Sequence, residues 1–125
     1  MKYFIFKHVE FSGYKDKKGL VYHYTEKSPN WEKVEEGAKV LLYEKETNCI
    51  FACATIGRIE KIEKDKQKEF FAFYKNLQRF KVPIELNFKL RKQLRLRDLE
   101  LPSPGIIPIE KKVFRSLRKL ASQYS

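Results

Sequence analysis

The chain is poor in the residues that build cross-links, metal centres and nucleotide-binding loops. Its 125 residues include two cysteines, two histidines and five glycines. The cysteines, Cys49 and Cys53, are too few for a disulfide framework, and the histidines complete no recognised zinc spacing with them. We therefore expect no disulfide, no bound metal and no organic cofactor.

Signatures of catalysis and of membrane insertion are also missing. The sequence contains no glycine-rich phosphate loop, no serine nucleophile elbow and no paired-histidine zinc-protease motif. Its acids are scattered, and nothing supplies the third group that a Cys53–histidine pair would need. No apolar run approaches the roughly 20 residues that span a bilayer, and Met1 leads directly into a strand pattern. We expect a cytoplasmic protein without catalytic activity and without a membrane partner.

What the chain has in abundance is positive charge. Its formal net charge is +11, from 27 basic and 16 acidic residues. Residues 1–55 contribute only +1, whereas residues 75–97 contribute +7, with eight basic residues and the single acid Glu85. A field this uneven attracts polyanions, of which nucleic acid is the commonest in a cell. The alternative is a basic solubility surface, such as the lysine-rich exterior of a thermophile's protein.

The hydrophobic pattern predicts one α+β domain over residues 1–125. Strands are predicted at residues 3–9, 20–24, 38–44, 50–62, 70–82 and 106–109. Helices are predicted at residues 28–37, 87–97 and 110–121. Gly57 lies inside a predicted strand and indicates a bulge or a close backbone approach. In the following strand we expect Phe71 and Phe73 to face the core.

Five stretches together resemble the EVE-type domains of the PUA-like superfamily. They are residues 19–24 (GLVYHY), 38–43 (AKVLLY), 51–62 (FACATIGRIEKI), 80–86 (FKVPIEL) and 105–114 (GIIPIEKKVF). The chain is particularly similar to the reader domains at the N-terminus of McrB-type restriction subunits, and the related YTH and SRA domains share their logic. The resemblance implies a curled β-barrel of about five to six strands with helices around it.

The resemblance also implies a site. In this family a modified base is flipped out of DNA into an aromatic-lined pocket at the barrel mouth, usually methylcytosine, hydroxymethylcytosine or N6-methyladenine. The corresponding pocket positions here are Phe11, Tyr22, His23, Tyr24, Trp31, Tyr43 and Phe51. The Trp and Asn that mark better-known members before the helix are absent, which leaves the base open. Because side chains alternate along a strand, His23 cannot face the same pocket as Tyr22 and Tyr24.

Flipping a base costs a few kcal/mol, so the domain must also grip the flanking phosphates. The candidate cations are Arg58, Lys61, Lys75, Arg79, Lys81, Lys89, Arg91, Lys92, Arg95 and Arg97. The sequence thus predicts a DNA-binding specificity domain for a restriction system, with a fused motor domain and a separate nuclease subunit as partners. Two alternatives stay open: an RNA-binding PUA-like module that reads tRNA or rRNA, and a small ASCH-like enzyme acting on nucleosides.

Overall fold

A six-stranded sheet organises the part of the chain that the computed structural model describes, residues 1–9, 20–95 and 105–123. Its strands, in chain order, are β1 Tyr3–His8, β2 Val21–Thr25, β3 Lys39–Glu44, β4 Cys49–Lys64, β5 Gln67–Glu85 and β6 Ile106–Ile109. The helices are α1 Phe88–Leu94, after β5, and α2 Lys111–Gln123, after β6. All the predicted strands are present, and the predicted α+β class is confirmed.

The two internal helices are shorter than predicted. Between β2 and β3 there is a single 3-10 turn, Trp31–Lys33, because Asn30 has a left-handed backbone (φ 69°) and Val34 is already extended. Helix α1 ends at Leu94 because Arg95 turns left-handed (φ 57°), a common way for a helix to stop. The last part of the helix predicted at residues 87–97 lies outside the described residues.

The strands lie side by side in the order β2-β5-β4-β3-β1-β6. Strands β1 and β3 run parallel, and the other neighbouring pairs are antiparallel. Strands β4 and β5 form a long hairpin. Its turn residues, Asp65 and Lys66, have positive φ angles of 53° and 64°. Such angles are those of the two-residue type I′ turn, whose twist matches that of the flanking strands.

The hairpin is interrupted at Gly57, as predicted. The pairing of β4 with β5 shifts between Ile56 and Ile59, so the expected bulge is confirmed. A β-carbon added to Gly57 would lie 3.2 Å from the carbonyl oxygen of Phe73, which is closer than most real β-carbons approach a neighbour. Glycine therefore permits the backbone approach that accompanies the bulge.

The sheet curls until its two edges meet. Tyr22 in edge strand β2 stacks on Phe6 in β1, four places away in the strand order, with ring centroids 4.5 Å apart. Just after β2, the Asn30 side-chain amide donates a hydrogen bond of 3.1 Å to the carbonyl of Ile106 in β6, the other edge strand. These contacts enclose one face of the sheet, which we call the inner face.

Each face of the curled sheet carries its own apolar core. The inner core comprises Phe4, Phe6, Tyr22, Tyr24, Ala38, Val40, Leu42, Ala52, Ala54, Ile56, Phe70, Ala72 and Ile106. The outer core comprises Ile5, Leu41, Tyr43, Ile50, Cys53, Ile84, Leu86 and Ile107 from the sheet side, covered by Val113, Phe114, Leu117 and Ala121 of α2. Because both faces are buried, β1 and β3 each carry a run of four successive apolar or aromatic residues, Tyr3–Phe6 and Val40–Tyr43, rather than alternating them with polar ones.

The predicted orientation of β5 is wrong over its first half. Phe71 and Phe73 were expected in the core, but they are only half-buried, whereas Phe70 (9% exposed) and Ala72 (0%) face the inner core. The pairing with β2 explains the difference, because Tyr24 lies opposite Phe70 and brings that face inward. Because both faces of β5 carry phenylalanines, the sequence of the strand does not determine which face is buried. The pairing with β2 determines it.

A substitution at Gly105 tests whether the two edges of the curled sheet are in contact. A β-carbon at this position would overlap the Tyr22 hydroxyl, whose ring is held by stacking on Phe6. We therefore expect Gly105→Ala to lower the free energy of unfolding by about 1–3 kcal/mol, as overpacked cores do. Chemical denaturation measures the change. The same substitution in a Tyr22→Phe background should cost less, and equal costs in both backgrounds would show that the edges do not meet there.

Candidate functional site

Four strand ends stand in a row at one end of the sheet. His8, the last residue of β1, lies opposite Glu44 of β3, which lies opposite Cys49 of β4, which lies opposite Glu85 of β5. We call this the His8 end of the sheet. Helix α1 starts three residues after Glu85, at Phe88, so it begins beside the same end.

An aromatic cluster surrounds His8 on the inner face. The His8 side chain is 1% exposed, and its Nε2 shares a hydrogen bond of 2.8 Å with the hydroxyl of Tyr74. The rings of Tyr22 and Phe51 stand edge-on to the imidazole, with centroids 5.3 and 6.1 Å away. We call Phe6, His8, Tyr22, Phe51 and Tyr74 the His8 cluster. Phe51 and Tyr74 are half-buried, so the cluster reaches the surface through these two rings.

Positive charge borders this cluster. The guanidinium of Arg79 lies 5.6 Å from the ring centroid of Phe51, within the range of a cation–π contact. Lys7 precedes His8 in β1 and points to the other face of the strand; it is buried, and its pKa is lowered, mainly by burial and also by the nearby charge of Lys45. The backbone N–H of Lys45 donates to the His8 carbonyl at 3.0 Å. The cluster thus combines flat rings and a buried imidazole–phenol pair with the Arg79 guanidinium at its border.

Two of the predicted pocket residues lie in the His8 cluster, Tyr22 and Phe51. Two more lie farther along the inner core and pack on Phe70: Tyr24 at 5.1 Å and Trp31 at 5.2 Å between ring centroids. Because Tyr24 is 2% exposed, its ring serves the core rather than an open surface. The four residues therefore form one continuous aromatic lining, of which only part is near the surface.

The other predicted pocket residues lie elsewhere. His23 faces away from its flanking tyrosines, as the alternation predicted; it stacks on Phe71 at 4.5 Å, and its Nε2–H donates to Glu69 at 3.0 Å. Tyr43 belongs to the outer core. Phe11 lies outside the described residues. The structure therefore does not bring the seven positions to one face, and their role in base binding stays a prediction.

His8 and Tyr74 were missed by the sequence reasoning. For each residue the strand pattern indicated an inward-facing side chain. Side chains at every second position of a strand share a face, so His8 lies on the face of Phe4 and Phe6, and Tyr74 lies on the face of Phe70 and Ala72. A histidine at the end of a buried strand face is a polar group that needs a partner. Because the other face of β5 was predicted to be buried, Tyr74 was not expected in the core, and the His8–Tyr74 pair was missed.

The predicted phosphate-binding cations divide into different environments. Arg58 and Lys61 lie on the hairpin and pair with Glu60 at 3.1 Å and Glu63 at 3.5 Å. Arg97 lies outside the described residues. The remaining positions of the basic segment that are exposed are Lys75, Arg79, Lys81, Lys89, Lys92 and Arg95. Their part in phosphate binding stays a prediction.

Arg91 differs from these cations because it is half-buried in a hydrogen-bond network. Its Nε donates to the Leu86 carbonyl at 2.9 Å, and its terminal nitrogen donates to the Tyr43 hydroxyl at 3.3 Å and to the Asn48 side-chain oxygen. Tyr43 donates to the same Asn48 oxygen at 2.6 Å. Burial raises the pKa of Tyr43 and the Arg91 charge opposes that rise. The network ties α1 to the turn between β3 and β4.

Replacement of Arg91 should therefore cost stability. Arg91→Ala removes three donors to oxygens that are shielded from water, and we expect a loss of about 1–3 kcal/mol in the free energy of unfolding. The matched control is Lys92→Ala, an exposed neighbour that should change stability by no more than about 0.5 kcal/mol. Thermal or chemical denaturation distinguishes the two. Equal, small effects would show that the Arg91 network contributes nothing.

The Tyr24 hydroxyl gives a second test, through pH. Burial raises the pKa of Tyr24 from 10.0 to about 12. Between these values the unfolded chain ionises at Tyr24 and the folded chain does not, so stability present below pH 10 is lost as the pH rises toward 12. The loss should be on the order of 2–3 kcal/mol. Denaturation of the wild type and Tyr24→Phe at pH 9 and 11.5 isolates it, and an unchanged difference between the two proteins would contradict it.

Two further features of the described residues bear on the site. Within residues 1–9, 20–95 and 105–123, no three His, Cys, Asp or Glu side chains gather in a way that could hold a metal ion. In the same part of the chain, neither helix has the length and apolar character to cross a membrane. The His8 cluster itself presents aromatic faces, an imidazole and phenol groups.

Comparison with known proteins identifies the fold. No protein-family model and no curated protein matches the sequence. The structure is similar to the crystal structure of ASCH from Zymomonas mobilis, with a TM-score of 0.67 and 15% identity over 95% of each chain. A serine-to-alanine variant of that protein gives 0.69 and 13% identity over 95% of this chain and 96% of that one. A tyrosine-to-phenylalanine variant gives 0.68 and 13% over 96% and 99%.

These likenesses confirm one part of the sequence prediction. The curled sheet with its two helices matches the fold of the ASCH crystal structures, which confirms the predicted PUA-like curled sheet as a fold class. At 13–15% identity the likeness concerns the fold alone. The more specific resemblance to EVE-type reader domains stays a prediction.

Proposed function

We propose that this chain is a non-catalytic nucleic-acid-binding module that holds one base against the His8 cluster and distinguishes a modified base in duplex DNA. The observation that carries the proposal is the His8–Tyr74 pair, 2.8 Å between its polar atoms, set among aromatic rings with Arg79 at the border. A flipped base needs flat faces for stacking and polar groups for its edge. The His8 cluster provides both within one site.

The exposed members of the cluster define where a base would enter. Phe51 and Tyr74 are half-buried, whereas His8 and Tyr22 are buried beneath them. A base stacked on the Phe51 face that Arg79 covers would have to move the guanidinium aside, where it could contact the base or the phosphate of the same nucleotide. The imidazole and phenol of the buried pair can each donate or accept a proton in a hydrogen bond, which suits the edge of a base.

Affinity would come from the exposed cations of the basic segment. Lys81 lies near the end of β5, and Lys89, Lys92 and Arg95 lie on or directly after α1, so these exposed side chains cluster around the His8 end of the sheet. Phosphate contacts of this kind position a nucleic acid without reading its sequence. The acids that accompany Arg58 and Lys61 reduce the net charge of the hairpin and favour the His8 end as the main phosphate contact.

The absence of catalysis is part of the proposal. Burial raises the pKa of the Cys53 thiol, which opposes formation of the nucleophilic thiolate. In the described residues His8 Nε2 and the Tyr74 hydroxyl share a hydrogen bond with each other. The resemblance to McrB-type reader domains extends the proposal to a restriction system, whose motor and nuclease would reside in other domains or subunits.

RNA is the second candidate, because the structural likeness is to ASCH proteins and RNA-binding modules also belong to the PUA-like superfamily. Sequence-specific RNA recognition usually targets unpaired bases stacked on aromatic rings. The His8 cluster would serve this purpose equally well. The two candidates therefore differ in the partner rather than in the site.

A binding panel at fixed salt tests the proposal. The ligands are one duplex in unmodified, cytosine-methylated, hydroxymethylated and adenine-methylated forms, with a tRNA as the fifth. We expect a preference of about 5- to 150-fold for one modified duplex, the range that 1–3 kcal/mol of base discrimination gives. Tyr74→Phe should remove most of this preference because it removes the hydroxyl that His8 contacts. The control is Tyr3→Phe, whose ring packs on Phe114 at the outer face.

The outcomes separate the candidates. Retention of the preference by Tyr74→Phe would refute the base site, and tighter binding of tRNA than of any duplex would make RNA the ligand. Turnover of a free nucleoside by the wild type would favour the enzyme alternative. Lys92→Ala should weaken all duplexes alike and reduce the salt slope by about one.

A further inference from the structure

Phe88 is unusually exposed to solvent for a phenylalanine. Its side chain is 76% exposed, and it is the only aromatic among the large apolar residues exposed in the described part of the chain. It is the first residue of α1, directly after Asn87, which lies in an extended conformation. An exposed ring of this size costs solvation free energy and contributes nothing to the core, so it is a candidate contact residue.

The position of Phe88 is fixed by the rest of its helix. The side chain of Asn87 accepts a hydrogen bond of 2.9 Å from the N–H of Leu90 and so caps the helix. Leu90 and Leu94 pack against the outer core, and Arg91 anchors the helix through its network. The side of α1 that carries these three residues is therefore attached to the domain, and Phe88 is presented from a rigid element.

Phe88 shares a face of α1 with a cation. Lys92 follows it by four residues, the spacing that places side chains on one side of a helix, and Arg95 stands at the left-handed end of the helix. Both are exposed, and α1 contains no acid in its first turn. An apolar protein surface covering this face would have to bury the Lys92 charge, and lysine is depleted at the centres of protein interfaces. A ligand with flat apolar rings between phosphates complements the face: the stacked bases of a nucleic acid.

The row of strand ends relates this face to the His8 cluster. Along that row Glu85, three residues before Phe88, is three strands from His8, which corresponds to roughly 14 Å at about 4.8 Å per strand. That separation is comparable to the width of the DNA major groove, about 12 Å. Because α1 packs on the outer core and the His8 cluster lies on the inner face, a duplex would contact both by lying across the strand ends at the His8 end.

We propose that Phe88 inserts into the base stack of the bound duplex and fills the gap left by the base that the His8 cluster receives, while Lys92 and Arg95 hold the flanking phosphates. This inference rests on the proposed function, because it requires an extruded base. Apolar side chains wedged between base steps are a general means of stabilising deformed DNA. The wedge supplies stacking that the duplex loses when the base leaves.

The test compares Phe88→Ala with Phe88→Trp and with the control Val82→Ala, an exposed apolar residue near the end of β5. On the preferred modified duplex, Phe88→Ala should bind about 5- to 150-fold more weakly, the range for loss of one base–aromatic stack. Phe88→Trp should bind like the wild type, and Val82→Ala should stay within about twofold. Because Phe88→Ala removes no phosphate contact, its dependence on salt should equal that of the wild type.

Each result has one interpretation. Wild-type affinity in Phe88→Ala, together with lost discrimination in Tyr74→Phe, overturns the insertion and leaves the proposed function standing. Failure of the wild type to bind any duplex overturns both. Sedimentation of the same variants identifies a protein contact: if Phe88→Ala changes the oligomeric state, Phe88 is a subunit contact and the insertion is wrong.

Discussion

The contact between Tyr22 and Phe6 is the one on which the remainder of the structure depends. It joins strands four places apart in the sheet and encloses the inner core, which would otherwise be an open apolar surface. The same contact brings the Tyr22 ring to the imidazole of His8. Closure of the sheet and assembly of the candidate site are therefore one event, and a change that opens the edges would lose both.

The closure depends on where the backbone is allowed to bend. The β4–β5 pairing shifts register at three places, and Gly57 and the left-handed Asn76 lie at or near two of them. Strand β4 of the hairpin pairs with β3, and strand β5 pairs with β2. Because the hairpin bends, β5 can hold β2 over the inner face of the sheet. His8 and Tyr74 are 66 residues apart in the chain, and they meet because the hairpin bends.

The sequence predicted the features that follow from a local residue pattern. It did not predict the features that tertiary contacts determine. Strand positions followed from runs of apolar residues, and the bulge at Gly57 followed from a glycine inside a strand. The buried face of β5 did not follow, because Phe70 and Phe71 are equally apolar and only the register with β2 selects between them. Arg91 resembles its basic neighbours in sequence, and only its contacts with Leu86, Tyr43 and Asn48 reveal that it belongs to the scaffold.

The division among the basic residues limits what charge can explain. Arg91 is committed to the scaffold, so only part of the +7 of residues 75–97 is available to a ligand. Outside that segment, the hairpin cations Arg58 and Lys61 are accompanied by acids. Charge of this kind increases affinity for every polyanion and selects none. Selectivity requires a side chain that contacts the base itself. Arg79 adjoins both the basic segment and the candidate base site, because its guanidinium covers the Phe51 ring. In the proposed function, a ligand that stacks on Phe51 must displace or accommodate this cation, so phosphate binding at Arg79 and base binding at the His8 cluster would be physically coupled.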